Sequence, residues 1–276
     1  MHEIGINLYA RSDISMPDYI RIIKDLGFTS VFSTLHDPAE MDETANLMAK
    51  AGLRYDTLHA PFRGINAIWH DGEEGDRVVA DIARCADVCA LLGAPTMVAH
   101  LSSGVNAPPP TDRGRARFAD LVNYAAGKGV RVAFENTRKL ANLAWAFEEF
   151  TDSAQVGFCW DTGHESCFTP GRQYMPLFGP RLSCLHIHDN LGVYNEDLHW
   201  LPFDGKIDFD RVAEQIRMSG FAGPLMLEVV GDRPRYQDMT AAAFLERAAA
   251  AAKRLRALVD EPRREEEKYE MVRDTL

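Results

Sequence analysis

A single (β/α)8 barrel is the fold class this sequence predicts, and three observations predict it. Eight short apolar runs alternate with longer amphipathic segments, the pattern of parallel strands joined by right-handed helical crossovers. The chain has 276 residues, close to the roughly 250 typical of one such barrel. No glycine-rich phosphate loop follows an early strand, which counts against the open, doubly wound sheet that the same alternation would otherwise allow. The barrel is expected over residues 1–258, and the charged stretch 259–276, nearly free of core residues, is expected to be a solvated tail.

The expected strands are the runs IGINLY (4–9), SVFST (30–34), YDTLH (55–59), TMVAH (96–100), RVAFE (131–135), VGFCW (156–160), SCLHIH (183–188) and LMLEV (225–229). Between them, SMPDYIRIIKDLG offers Ser15 as N-cap, Pro17 in the first turn and Gly27 as a stop. PAEMDETANLMAKAG follows the second strand, and DRVVADIARCADVCALLG places apolar residues at helical spacing up to Gly93. Further helical patterns follow strands four, five, seven and eight. Only the segment after strand six, CFTPGRQYMPLFG, reads as a weak helix, so that crossover is expected to be short or irregular.

Composition bounds the function. The balance of 30 basic and 41 acidic residues gives a formal charge of −11, and such a surface repels phosphate backbones, so nucleic acid is not an expected partner. The N-terminal MHEIGINLYARSD has no basic leader before an apolar run, and no stretch approaches the ~18 apolar residues of a membrane span. The five cysteines, an odd number at scattered spacing, suggest no disulfide framework. A reduced, cytoplasmic protein is expected.

The chemistry lies in what ends each strand. Strand three ends at His59, strand four at His100, strand five at Glu135 and strand eight at Glu228. Strand six runs into Asp161, with His164 three residues on, and strand seven carries His186 and His188. In a (β/α)8 barrel the C-terminal strand ends converge on one mouth, where the chemistry sits. Residues i and i+2 of a strand share a face, so His186 and His188 are both expected to point into it. A loop then returns Asp197 and His199, a D-x-H pair, toward the same place. A lone strand-end histidine is more often a hydrogen-bonded core residue. Six of the nine histidines falling in one constellation is harder to explain that way. A buried, unpaired carboxylate carries a large desolvation cost, and the neighbouring strand ends supply acids and imidazoles rather than lysines. A divalent metal at the mouth is therefore expected, and mixed carboxylate and imidazole donors suit Zn, Mn, Co or Fe. No cysteine is expected in the set, which disfavours a structural thiolate zinc.

The segments LHAPF, VAHL, VAFENT, GFCWDTGHE, LHIHDN, DLHWLPFDGKIDF and LMLEVV together resemble the xylose-isomerase-like (β/α) barrel superfamily, from strand one through Glu228. That group includes sugar and sugar-phosphate isomerases and epimerases, and metal-dependent apurinic endonucleases. In the isomerase and epimerase branch the resemblance implies one divalent metal on Glu135, Asp161, His186 and Glu228. Glu135 and Glu228 would then also be the catalytic proton-transfer groups. His59, His100, His164 and His188 would meet substrate. Trp69 is expected to wall the pocket along with Phe62, Trp160, Trp200 and Phe203, and Arg138 to meet an acidic or phosphorylated substrate. The resemblance also implies dimers or tetramers.

The sequence departs from the ketohexose epimerases. It lacks their glutamate shortly after the strand-five ligand and their arginine after strand seven, which argues against a free ketohexose 3-epimerase. The endonuclease branch uses nine ligands for three zincs, and all nine can be matched: His59, His100, Glu135, Asp161, His164, His186, Asp197, His199 and Glu228. His164, Asp197 and His199 thus form a second tier of ligands, with one metal expected first and up to three accommodated. A third branch, dehydratases acting on cyclic polyols or shikimate-like acids, uses the same metal and proton abstraction. The expected function is a metal-dependent isomerase or epimerase of a small sugar, sugar phosphate or polyol derivative. The alternatives are a multinuclear zinc phosphodiesterase and a dehydratase.

Overall fold

The computed structural model describes residues 1–261. Eight strands form one sheet: β1 (Ile4–Asn7), β2 (Ser30–Thr34), β3 (Arg54–His59), β4 (Thr96–Ala99), β5 (Arg131–Glu135), β6 (Val156–Asp161), β7 (Leu182–His186) and β8 (Leu225–Leu227). Each strand pairs in parallel with its sequence neighbour from β1 to β7, and β1 also pairs with β8. A parallel bridge between Ile187 and Leu227 joins the last two and closes the barrel. It is made by Ile187 N–H donating to Met226 O (2.9 Å) and Glu228 N–H donating to Ile187 O (3.0 Å).

The helices begin and end where the chain supplies caps. Ser15 caps α1 (Met16–Asp25), and Asp37 caps α2 (Pro38–Ala51), which stops at Gly52 in the left-handed region. α3 (Glu73–Leu92) ends at Gly93 in the same way, and Thr111 caps α4 (Asp112–Gly127). α5 (Leu140–Glu149) has no side-chain cap. The crossover after β6 is irregular, as expected: α6 (Thr162–Phe168) and α7 (Met175–Phe178) are both short. Asp208 caps α8 (Phe209–Ser219), and Thr240 caps α9 (Ala241–Asp260). The expected tail began at residue 259, but α9 runs through Asp260 and Val259 is buried, because its apolar stripe continues to that point. Residues 262–276 of that expected tail lie outside the described residues.

Strand alternation sorts the side chains into two layers. Val132, Phe134, Phe158, Trp160 and Leu185 face the helices and join the large core between barrel and helical shell. Val98, Ala133, Cys159 and Cys184 face the barrel axis and form a separate small cluster. Each of these four stands two residues before a polar strand end: His100, Glu135, Asp161 and His186. Period-2 geometry therefore stacks the polar layer directly over an apolar floor.

Trp69 belongs to the outer core. It ends a 3-10 turn, Ile65–Trp69, packs against Phe118 and Trp145, and donates its indole N–H to Leu101 O (2.7 Å). A Cβ on Gly114 of α4 would fall inside the indole ring, so the helix approaches there only because position 114 is glycine. Arg117 of α4 is buried too and donates to the carbonyls of Ile68, His70 and Gly72. The connection leading into α3 is thus tied down by backbone acceptors. Trp69 and Trp160, expected at the pocket wall, are both buried in this helix-facing layer and do not face the mouth.

Candidate metal centre at the barrel mouth

The polar layer is organised around Glu135, which is 2% exposed. Its Oε2 lies 2.6 Å from His100 Nε2 and 3.2 Å from His59 Nε2. Its Oε1 lies 2.8 Å from His186 Nδ1. His186 Nδ1 is in turn 3.2 Å from Glu228 Oε2. One carboxylate therefore faces two imidazoles on one side and a His–Glu pair on the other. Donor atoms of Glu135, Asp161, His186 and Glu228 all lie within 4.8 Å of one another, and so do those of His59, His100 and Glu135. A third such group is His188, His199 and Glu228.

Asp161 is held from both sides. Its backbone N–H donates to Asn136 Oδ1 (2.8 Å), and Asn136 Nδ2 donates back to Asp161 O (2.9 Å). Its carboxylate caps α6 by accepting from His164 N–H (2.6 Å) and faces His188 Nε2 at 3.1 Å. His188 fits beside α6 only because residue 163 is glycine; a Cβ there would fall inside the imidazole. His164 Nδ1 lies 3.1 Å from Asn136 O, and its Nε2 lies 3.4 Å from Asp197 Oδ2.

The loop carrying Asp197 and His199 is folded back by Asp189. This buried carboxylate accepts from the backbone N–H groups of Asn190, Gly205 and Ile207. The backbones of Asp189 and Trp200 also pair as an antiparallel bridge. Asn195, His199 and Phe203 in this loop all have positive φ, conformations that non-glycine residues hold only when their surroundings over-determine them. As a result His199 stacks on His188 (4.0 Å between centroids), and its Nε2 sits 3.0 Å from Asp197 Oδ2.

Electrostatics show what the layer lacks. Four carboxylates (Glu135, Asp161, Asp197 and Glu228) meet here, and among the described residues none is ion-paired to a lysine or arginine. Burial pushes Glu135 up, but His186, His100 and His164 outweigh it and hold the carboxyl well below its usual range. Glu228 is likewise depressed, its burial outweighed by His186 and His199. Burial lowers His164, yet Asp161, Asp197 and Glu135 carry it up to about 10. His199 rises to about 9 against burial, through Asp197 and Glu228. The acids demand cations, and the imidazoles supply that charge by taking protons against the cost of burial. His100, also buried, moves the other way and falls below its ordinary value because burial dominates. Buried side-chain atoms of this layer, among them His186 Nε2, His188 Nδ1 and Glu228 Oε2, have no hydrogen-bond partner. A divalent cation fits this donor set, and Glu135, Asp161, His186 and Glu228 could hold one with mixed oxygen and nitrogen donors.

The site residues expected from sequence fall into three groups. Glu135, Asp161, His186, Glu228, His59, His100, His164, His188, Asp197 and His199 all meet at the mouth. Arg138 stands at the rim, its Cζ 3.5 Å above the Phe168 ring. Trp69 is placed elsewhere, in the core between barrel and helices, since its single polar atom is satisfied by a backbone carbonyl there. Of the aromatics expected at the wall, Phe62 is 45% exposed and stacks on His100 at 4.5 Å, whereas Phe203 packs against Phe209 and Arg254. Three positioning residues escaped the sequence reading: Asn136, Gly163 and Asp189. Asn136 and Asp189 are polar residues directly after strand-end donors, a signal visible in the chain but without direction. The sequence reading also left cysteine out of the donor set, yet Cys159 Sγ lies within 4.8 Å of donor atoms of Glu135 and His186, because strand alternation puts it one layer below Asp161.

Fold and site together define a class, a parallel (β/α)8 barrel whose strand ends form a carboxylate–imidazole pocket at the C-terminal mouth. The family model described as xylose isomerase-like TIM barrel matches residues 20–259, and the chain belongs to that family. The protein y4fM of Sinorhizobium fredii is 27% identical over 279 residues, covering 86% of this chain and 88% of its own length. Among solved structures, a xylose isomerase domain protein from Alicyclobacillus acidocaldarius superposes with a TM-score of 0.70 at 20% identity, over 93% of this chain and 98% of that one. A D-psicose 3-epimerase from Clostridium cellulolyticum, solved with D-tagatose, superposes at 0.75 with 16% identity, over 95% of this chain and 100% of that one. Among the described residues no helix is long and apolar enough to cross a membrane.

Proposed function

We propose that the protein is a divalent-metal-dependent isomerase or epimerase of a small sugar, sugar phosphate or polyol derivative. The observation that carries this reading is the convergence of Glu135 and Glu228 on His186 Nδ1, at 2.8 and 3.2 Å, beside the buried Asp161. Glu135, Asp161, His186 and Glu228 would hold the ion. Bound there, a divalent cation supplies polarisation of a substrate carbonyl and stabilisation of negative charge developing on its oxygen.

The chain's own residues then divide the work. Glu135 and Glu228 arrive from β5 and β8 as two separate carboxylates. One takes a proton from the carbon beside the carbonyl, and the other returns a proton to the product. Both are held in the ionised form by the surrounding imidazoles, so either is free to accept the substrate proton, and the carboxylate that returns a proton first takes it from water. His59, His100, His164 and His188 offer hydrogen bonds to hydroxyls from several directions around one carbon chain. Phe62 presents an apolar face at the entrance, suited to the C–H surface of a sugar.

The test is proton exchange followed by NMR in D2O, using the metal-loaded protein with a panel of ketoses, their phosphates and cyclic polyol ketones. Wild type is expected to exchange the proton beside the carbonyl for one of them, and Glu135→Gln to lose that exchange while staying folded. Full exchange by the variant would remove the proposed role.

A second reading has a specific observation behind it. Seven of the nine candidate donors, His59, His100, Glu135, Asp161, His186, His199 and Glu228, fall in donor groups that contain Glu135 or Glu228, and the other two, His164 and Asp197, approach one another at 3.4 Å beside them. That supports a multinuclear zinc phosphodiesterase, since two closely spaced ions clamp the attacking and leaving oxygens of such a reaction. Elemental analysis separates the two. About one metal per chain fits the isomerase reading; two or three zincs, together with a nick at an abasic site in DNA, fit the other.

A further inference from the structure

We propose that the cavity beside the mouth, between the start of α5 and the end of α6, is an anion subsite that holds a phosphate or carboxylate group of the substrate. The cavity measures about 450 Å3, and its lining includes Arg138, Lys139 and Arg172 and no carboxylate. Among the described residues none of these three cations takes part in an ion pair, in a chain that carries 41 acids against 30 bases. Other arginines of the chain are ion-paired, among them Arg11 with Asp13, Arg211 with Glu165 and Arg247 with Asp204.

Arg138 is the organised member. Its guanidinium lies over the Phe168 ring, with Cζ 3.5 Å from the centroid, and its Nε donates to Asn195 Oδ1 (2.9 Å). Those two contacts fix the plane of the guanidinium. The two terminal nitrogens have no hydrogen-bond partner among the described residues, so the fork that grips an anion bidentately is already oriented. The other route out of Phe168 leads to the mouth, because its ring stacks on the His164 imidazole at 4.5 Å. Two ring-stacking steps thus separate the arginine from the metal-centre layer. Leu140 and Ala141, the first residues of α5, also line the cavity, and no side chain caps that helix. Its positive end adds to the field of the three cations. Glu165 on α6 does not cancel this charge: it accepts from Trp160 Nε1, Tyr174 N–H and Arg211.

The subsite rests on the proposed function only in assigning the anion to the substrate; its test needs no turnover. The full chain, stripped of metal by chelator so that no anion is held by an ion, is titrated calorimetrically at low, constant ionic strength. The probes are inorganic phosphate and, separately, acetate. The expected result is saturable binding of one anion per chain, weakened about tenfold by Arg138→Leu, which removes a charge-assisted bidentate contact. Arg172→Gln, at an exposed position that leaves the fold intact, is expected to weaken it about threefold. Arg77→Gln, on the exposed face of α3, should change nothing. Phosphate binding far tighter than acetate assigns a phosphoryl group, and comparable binding assigns a carboxylate. Absence of saturable binding by either probe overturns the proposal. Binding that neither Arg138→Leu nor Arg172→Gln alters means an adventitious ion only, and overturns it too. If the anion binds here and no sugar exchanges protons, the isomerase reading fails while the subsite stands.

Discussion

Two enclosed acids at opposite ends of the barrel are shifted in opposite directions, although burial pushes both the same way. Glu135, at the C-terminal mouth, is fully enclosed, yet its carboxyl is held well below its usual range by His186, His100 and His164. Asp56, at the N-terminal end of β3, occupies a register shift, where Val31 pairs with Tyr55 and Phe32 with Thr57, so residue 56 is skipped. It lines a cavity of about 370 Å3 with Thr96, Arg131, Ser183 and other strand-start residues. Burial pushes it up to about 6, and the opposing effects of Arg54 and His186 are too weak to reverse this. The carboxylic acid chemistry is the same. What differs is whether imidazoles were built around it, and they were built only at the mouth. Burial alone marks a cost; burial with convergent, cation-seeking partners marks a site.

The largest expected effect breaks the mouth side of this comparison. Glu135→Gln keeps the shape but removes the charge that His59, His100 and His186 face. Bound divalent metal should fall by at least tenfold, and proton exchange by about 10³-fold or more, as read by elemental analysis and NMR. Retention of full metal content in that variant would show that Glu135 is not a ligand.

Removing the metal itself comes next. A cation bound at 1,000 times its dissociation constant stabilises by about 4 kcal/mol, and for a chain of this size that corresponds to a melting temperature about 10 °C lower after chelation. Scanning calorimetry with and without chelator reads this directly, and an unchanged transition would mean that the acids are compensated by protons alone.

Packing at the mouth is tested by Gly163→Ala. The added methyl displaces His188 from Asp161 and should cost about 2 kcal/mol through overpacking, with weakened metal binding. Trp69→Ala, in the outer core, should cost about 3–5 kcal/mol yet leave metal stoichiometry unchanged, which separates a packing tryptophan from a substrate-facing one. Denaturant midpoints and metal analysis on the two variants make that comparison.

The smallest effect sharpens the other end. The folded pKa of Asp56, about 6, lies above an unfolded value near 3.9. The folded state therefore binds the extra proton between these values. This acid's contribution to stability is fully present below about pH 4 and is lost as pH rises through about 6. Asp56→Asn should accordingly be more stable than wild type at pH 8, by about 1–2 kcal/mol, and the gap should close by pH 4. A gap that widens on acidification would reverse the assignment.

Much of this was legible in the chain. The eight apolar runs fall on the eight strands, because a strand buried on both faces must be continuously apolar. The candidate donors could be singled out because six consecutive strands, from the third to the eighth, each deliver a Glu, Asp or His at the same end. Strand register then places them in one layer without further information. The rank of the aromatics was not legible. Phe62 and Trp69 stand seven residues apart in one connection, and only the packing of α4 through Gly114 decides that the tryptophan turns into the core.

The sequence by itself determined the period of the fold and which acids and imidazoles stand at its strand ends, since both depend on local alternation and on residue type. Only the tertiary structure decided how the donors are shared. That Glu135 faces three imidazoles, that Asp189 draws its loop back to set Asp197 beside His164, and that Arg138 lies over Phe168 all depend on contacts between residues distant in the chain. Such contacts are set by barrel closure and by loop hydrogen bonds, and neither leaves a periodic trace in the order of amino acids.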